Sequence, residues 1–268
     1  MYSAQYCCSY GNTKSYGASY GSNSSGSTNY FSSEYHNSSI DLLVDSQPHA
    51  LTISDAKISE AYTKNLYLSN SKHDYFTIEP FLTHLQETEF VDDAKLVEEP
   101  CKTAFRLTTG KELPSNISIR LCSQDELKKA HIENGGIWSS GIQGFSINRG
   151  AKKVSEVFVK KDSIDRVMIT LGHEIGHVIS KTLPDTRDEE AKAFAFSIAW
   201  MRVIIDNNIA GLSNAINPAP AQNGIHDTGF EFVNEEISRQ KISSFEIFLQ
   251  LTNGLLTITN RLEQIILQ

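Results

Sequence analysis

The sequence predicts an α+β fold, with helices gathered around a small sheet, on three observations. Residues Ile117–Cys122 alternate apolar and polar side chains, the period of a half-buried strand, and 144–148 and 154–160 are two further strand candidates. Residues 164–179 instead repeat apolar side chains at spacings of three and four, the period of a helix, and this run contains His173-Glu174-Ile175-Gly176-His177. The segment after it is apolar on nearly every face from Ala191 to Ile205, as a helix buried on all sides must be.

Taken in order, residues 1–40 are dominated by Ser, Gly, Asn and Tyr, and Lys14 and Glu34 are their only charges. So few aliphatic side chains cannot offset the entropy of ordering the chain, and a disordered tail is expected. Residues 41–113 have an ordinary composition and predict a helical N-terminal region, with apolar spacing at 53–68, at 78–90 and at 99–109, where Pro100 suits a first turn. Residues 114–268 carry the mixed pattern. After Ile117–Cys122, a short helix over 123–131 has Ser123 as its N-cap and Glu126 completing a capping box. A Gly-rich loop leads to the pair 144–148 and 154–160, whose five-residue separation suits a hairpin.

Asp162 or Ser163 can cap the motif helix. With Ile164 at zero and roughly 100° per residue, Val167, Met168, Leu171, Ile175, Val178 and Ile179 fall between roughly −60° and +60°, while His173 and His177 lie near roughly 180° and 220°. The histidines are therefore expected to face away from the core. Gly176 costs about 1 kcal/mol relative to alanine within a helix, which is repaid where another segment approaches closely. Leu183-Pro184 ends this helix. Asp185 opens the next, with Asp188 in capping-box position and Glu190 at the head of the apolar run. Beyond Asp206 come a loop rich in Asn, Pro, Ala and Gly, the apolar stretch Phe230 to Val233, two helices from Asn234 onward, and an amphipathic face over 258–267.

On one helix face, two histidines four apart can reach a single Zn²⁺, and Glu174 flanks the position left open. A carboxylate entering a buried helix needs a compensating charge, which the same ion would supply. Glu190 is the expected third ligand, with Glu189 or Asp188 as substitutes. His226, next to Asp227, is the candidate oxyanion donor.

His173-Glu174-x-x-His177 followed by Glu190-Ala191-Lys192-Ala193-Phe194-Ala195 resembles the gluzincin metallopeptidases, and most closely the ImmA/IrrE family, over about residues 115–206. The resemblance implies a zincin-like domain whose small antiparallel sheet packs on the H-E-x-x-H helix, with 144–148 as the edge strand lining the cleft and able to hold an extended peptide. It also implies that the glutamate of the following helix is the third ligand. A metzincin is set aside, because Ser180 and Leu183 stand where that longer motif requires Gly and His.

The expected function is zinc-dependent hydrolysis of a peptide bond in a protein substrate, with zinc-activated water and Glu174 as general base. The alternative is a zinc-stabilised binding module without proteolysis, which would have no need of Glu174. A net charge of −8 and a pI near 5.5 without Lys/Arg clusters argue against nucleic acid as a partner. No apolar run of spanning length and no basic-then-apolar leader occurs. Cys7, Cys8, Cys101 and Cys122 have neither metal-site nor disulfide-framework spacing. A cytoplasmic location is expected, or export without a Sec signal, since the Ser-rich tail resembles those of effectors exported by bacterial type III machines.

Overall fold

The three expected strands do pair. The computed structural model describes residues 76–220 and 228–259. In order, these hold a 3-10 turn (Glu79–Phe81), β1 (Phe90–Val91), α1 (Lys95–Thr109), β2 (Ile117–Cys122), α2 (Gln124–Glu133), β3 (Gly144–Ile147), β4 (Ser155–Lys160) and β5 (Asp162–Ser163). There follow α3 (Ile164–Val178), α4 (Thr186–Asp206), a second 3-10 turn (Ile209–Gly211), α5 (Thr228–Gln240) and α6 (Ser244–Thr252). This is a mixed helix and sheet architecture, as the α+β expectation requires. The expectations for the tail, for 53–68, for the loop around His226 and for most of 258–267 fall outside the described residues.

The three-stranded sheet has the order β2-β4-β3. The hairpin forms as expected, antiparallel, with Phe145 opposite Phe158 and Ser146 opposite Val157, and β3 lies at the sheet edge. The expectation of an all-antiparallel sheet is corrected: β2 runs parallel to β4, with Ile119 opposite Val157. Parallel partners need a crossover: α2 and the Gly-rich loop lead from the end of β2 to β3, which starts at that same end, and the antiparallel run of β3 returns the chain to the starting end of the sheet. The capping box of α2 is present. Ser123 Oγ accepts from Glu126 N at 3.3 Å and Glu126 Oε2 from Ser123 N at 2.8 Å.

Two helical expectations in the N-terminal region are also corrected. Over 78–90, Pro80 sits in the first turn of a 3-10 helix only three residues long, and the chain then extends to pair β1 with β5. Ile78, Phe81 and Leu82 satisfy their apolar spacing by entering the core from this turn. The helix expected at 99–109 begins at Lys95, so Pro100 lies inside it rather than in its first turn. Its missing N–H leaves the Leu96 carbonyl without the usual helical donor.

Helix α3 lies between the sheet, where it packs on β3 and β4, and α4 on its other side. Ser163 holds the N-cap position. Because α4 covers the face opposite the apolar stripe, the expectation that the histidines face away from the core is corrected: His173 is only 2% exposed. The approach that buries it passes through glycine. A Cβ on Gly176 would lie 2.9 Å from Ala193 Cα, and one on Gly172 would lie 2.5 Å from Trp200 Cδ1. Trp200 is fully buried and its indole N–H donates to the Met168 carbonyl at 2.9 Å, joining the two helices.

The all-round apolar surface of α4 is matched by partners on every side: α1, α3, α5 and α6 all pack on it. Asp185 caps it as expected, accepting from Arg187 N at 2.9 Å, but the expected capping box is absent. Asp188 Oδ1 instead accepts from Ile258 N at 2.7 Å, tying the C-terminal segment to the head of α4. No helix among the described residues is long and apolar enough to cross a membrane.

Candidate metal centre

Helices α3 and α4 bring together the residues the sequence singled out. His173 and His177, one turn apart on α3, direct their Nε2 atoms to within 3.3 Å of each other. Glu190, in the first turns of α4, places Oε2 3.5 Å from His173 Nε2 and Oε1 3.8 Å from His177 Nε2. The three ligand atoms of His173, His177 and Glu190 lie within 4.8 Å of one another and could hold a metal ion. Donors about 2.0–2.1 Å from a shared tetrahedral zinc stand about 3.3 Å apart, which the two Nε2 atoms already match. Glu190 instead meets the two rings with different oxygens and would have to turn to bring one of them against both. Two imidazoles and one carboxylate also suit zinc in kind.

Of the two substitutes, neither occupies the ligand position. Asp188 is turned to Ile258, and Glu189 lies behind His177, its Oε1 2.9 Å from Nδ1 on the far side of the ring. That contact fixes the side of the imidazole that carries hydrogen and leaves Nε2 as the donor atom. His173 is held differently. Its ring stacks on Phe76 at 4.1 Å and 4°, and meets Phe194 edge-on at 4.9 Å. Its Nδ1 is buried without a hydrogen-bond partner among the described residues.

The charges respond to this crowding. Desolvation pushes the Glu190 carboxyl up, but the His173 contact and the positive charges around it outweigh burial and hold it at about 2. Burial pulls the His177 imidazole down, and the Glu189 hydrogen bond with the charges of Glu190 and Glu174 more than reverses this, leaving it raised. Burial lowers Lys192, against the partial support of Glu189. An ion at this point would supply the positive charge that the carboxylates face.

Glu174, on α3 between the histidines, is buried, and its Oε2 accepts from Ser146 Oγ of the edge strand at 2.9 Å. The alternation of β3 turns Gly144 and Ser146 towards α3, and a Cβ on Gly144 would collide with Thr170 Cγ2 at 2.6 Å. Asn148, just past the strand, donates from Nδ2 to the carbonyls of His177 at 2.8 Å and Ser180 at 2.6 Å, closing the C-terminal end of α3.

Sequence reasoning missed Ser146, Asn148, Phe76 and Lys192. Ser146 was marked only by its place two residues after Gly144 on one strand face. Lys192, fully buried, was marked by a lone positive charge in an apolar run at i+3 from Glu189. Phe76 lies far outside the motif and carried no signal. His226 and Asp227 lie outside the described residues. Cys101 and Cys122 are free and buried, with the Cys101 thiol pushed up to about 12 by burial. Compared with protein-family models, curated proteins and solved structures, the chain matches none.

Proposed function

We propose that this chain is a zinc-dependent endopeptidase of gluzincin type with a zincin-like domain, acting on a protein substrate. The observation that carries the proposal is the convergence of His173, His177 and Glu190 on one point with the Glu174 carboxylate beside it. The motif resemblance to the ImmA/IrrE family supports the same reading. A site serving only to hold the fold together has no use for a second, non-ligating carboxylate placed between its two histidines.

His173, His177 and Glu190 would hold the ion, and a bound zinc supplies Lewis acidity towards a water and a carbonyl oxygen. The remaining work falls to the chain. Glu174 is the general base: it accepts a proton from the attacking water and delivers it to the leaving amine. Ser146 keeps the Glu174 carboxylate turned towards the edge strand by donating to Oε2. Strand β3 has one backbone edge unpaired in the sheet, which suits an extended peptide added as a further strand. The setting is either regulatory cleavage of a cytosolic partner or action as an effector exported without a Sec signal.

The test is Glu174→Gln. The variant should retain stoichiometric zinc and lose the new protein N-termini that the wild type produces in a proteome-wide search. Undiminished cleavage by a zinc-loaded Glu174→Gln protein would sink the proposal, as would absence of zinc from the purified wild type.

A further inference from the structure

We propose that Glu189 and Lys192 act as a positioning clamp for the metal centre, fixing His177 as a ligand and holding the two ligand-bearing helices at their working separation. The proposal rests on the metal-binding reading above. Glu189 divides its two oxygens. Oε1 meets His177 Nδ1 at 2.9 Å, while Oε2 accepts from Leu183 N at 2.7 Å and from Lys192 Nζ at 2.9 Å. Lys192 directs its other hydrogens to the Lys181 carbonyl at 3.1 Å and the His177 carbonyl at 3.4 Å. An ammonium has three hydrogens, and all three find acceptors in a position with no solvent exposure.

The contacts form a closed circuit. They run from the His177 ring through Glu189 to Lys192, and return to the backbone of His177 and to the turn joining α3 to α4. Rotation of the imidazole, displacement of the turn and separation of the helices would each break a charge-assisted hydrogen bond inside the protein. Among the described residues His173 has no such support, being held by the stacked Phe76 and by Phe194. The two imidazoles are therefore fixed by different forces, and loss of the clamp should disturb one of them.

The formal charges agree: three carboxylates, Glu174, Glu189 and Glu190, with the one ammonium of Lys192 sum to two negative charges, the complement of a divalent cation. Among the described residues Lys192 is the ammonium paired with Glu189, at 2.9 Å. Removing one member of a buried pair is destabilising, whereas removing both is often tolerated. The informative variant is therefore the double substitution Glu189→Gln with Lys192→Met, made in the full chain.

Zinc affinity, measured by competition with a chromogenic chelator at pH 7.5, should fall about 10- to 100-fold in the folded double variant. In the zinc-loaded protein the His177 Nδ1–H proton resonance should move while the His173 resonance stays. If the double variant binds zinc within about twofold of the wild type with an unmoved His177 resonance, the clamp is overturned and the metal site stands. If the wild type itself takes up no zinc, both proposals fall together. Glu189→Gln alone should melt below the double variant when metal-free, because it strands Lys192. Equal melting would show that Lys192 is not held by Glu189, against the clamp.

Discussion

At the scale of single residues, the proposed site divides between groups that would touch an ion and groups that would aim them. Ser146 belongs to the second kind, since its hydroxyl donates to Glu174 Oε2 at 2.9 Å. A hydrogen bond to a charged acceptor is worth about 1.5–3 kcal/mol, so Ser146→Ala should lower kcat by about tenfold or more while zinc content and KM stay near wild type. An unchanged kcat would show that Glu174 needs no such orientation. Gly176 is a second case, because a methyl group there would press on the Ala193 backbone at 2.9 Å. Gly176→Ala gains helix propensity but overpacks the contact, and a net loss of about 1–3 kcal/mol is expected in chemical denaturation. The grouping of His173, Glu174 and His177 was legible from the chain because they lie within one turn and a half of a single helix. Ser146 was not, because its partner is 28 residues away and only strand pairing brings the two together.

Among the elements, α4 joins the site to the core. Its cap depends on Asp185, whose carboxyl is held below the usual range chiefly by the hydrogen bond from Arg187, against the opposing effect of burial. A depressed pKa contributes stability that is present above the unfolded value near 3.8 and is lost as pH falls through the folded value. Asp185→Ala should therefore cost about 1 kcal/mol at pH 7, and the difference from wild type should shrink on acidification. A cost that does not vary with pH would show that the charge is irrelevant to the cap. Local periodicity made both site helices, the hairpin and the capping box of α2 legible. It could not reveal the parallel pairing of β2 with β4, since the direction of a strand is decided by the crossover that follows it. The misplaced start of α1 has a related cause, because tertiary packing of Val97, Cys101 and Ala104 outweighs the local cost of Pro100.

For the described residues as a whole, an apolar core runs from Ile78 and Phe81 through α1, α3 and α4 to Phe248 and Ile258, and the candidate metal centre is set into it beside Phe194. Trp200 lies deep in this core, and Trp200→Ala should cost about 3–5 kcal/mol, read as a shifted denaturation midpoint. A ligand that binds only the folded state at one hundred times its Kd adds about 2.7 kcal/mol. Chelation of zinc should accordingly lower Tm by about 5–10 °C for a chain of this size. The His173, His177 and Glu190 ligands occur within a short stretch of chain joined by one turn, whereas the sheet must bring Ile119 to Val157. Loop closure is entropically cheaper for the shorter stretch, by an amount that grows only with the logarithm of length. The α3–α4 pair can thus assemble around an ion before the sheet is complete. Zinc added before refolding should shorten the lag to native fluorescence, while zinc added after that step should change only the final stability. In that order of events, the centre would act as a template in the folding of the chain as well as a reagent in its folded state.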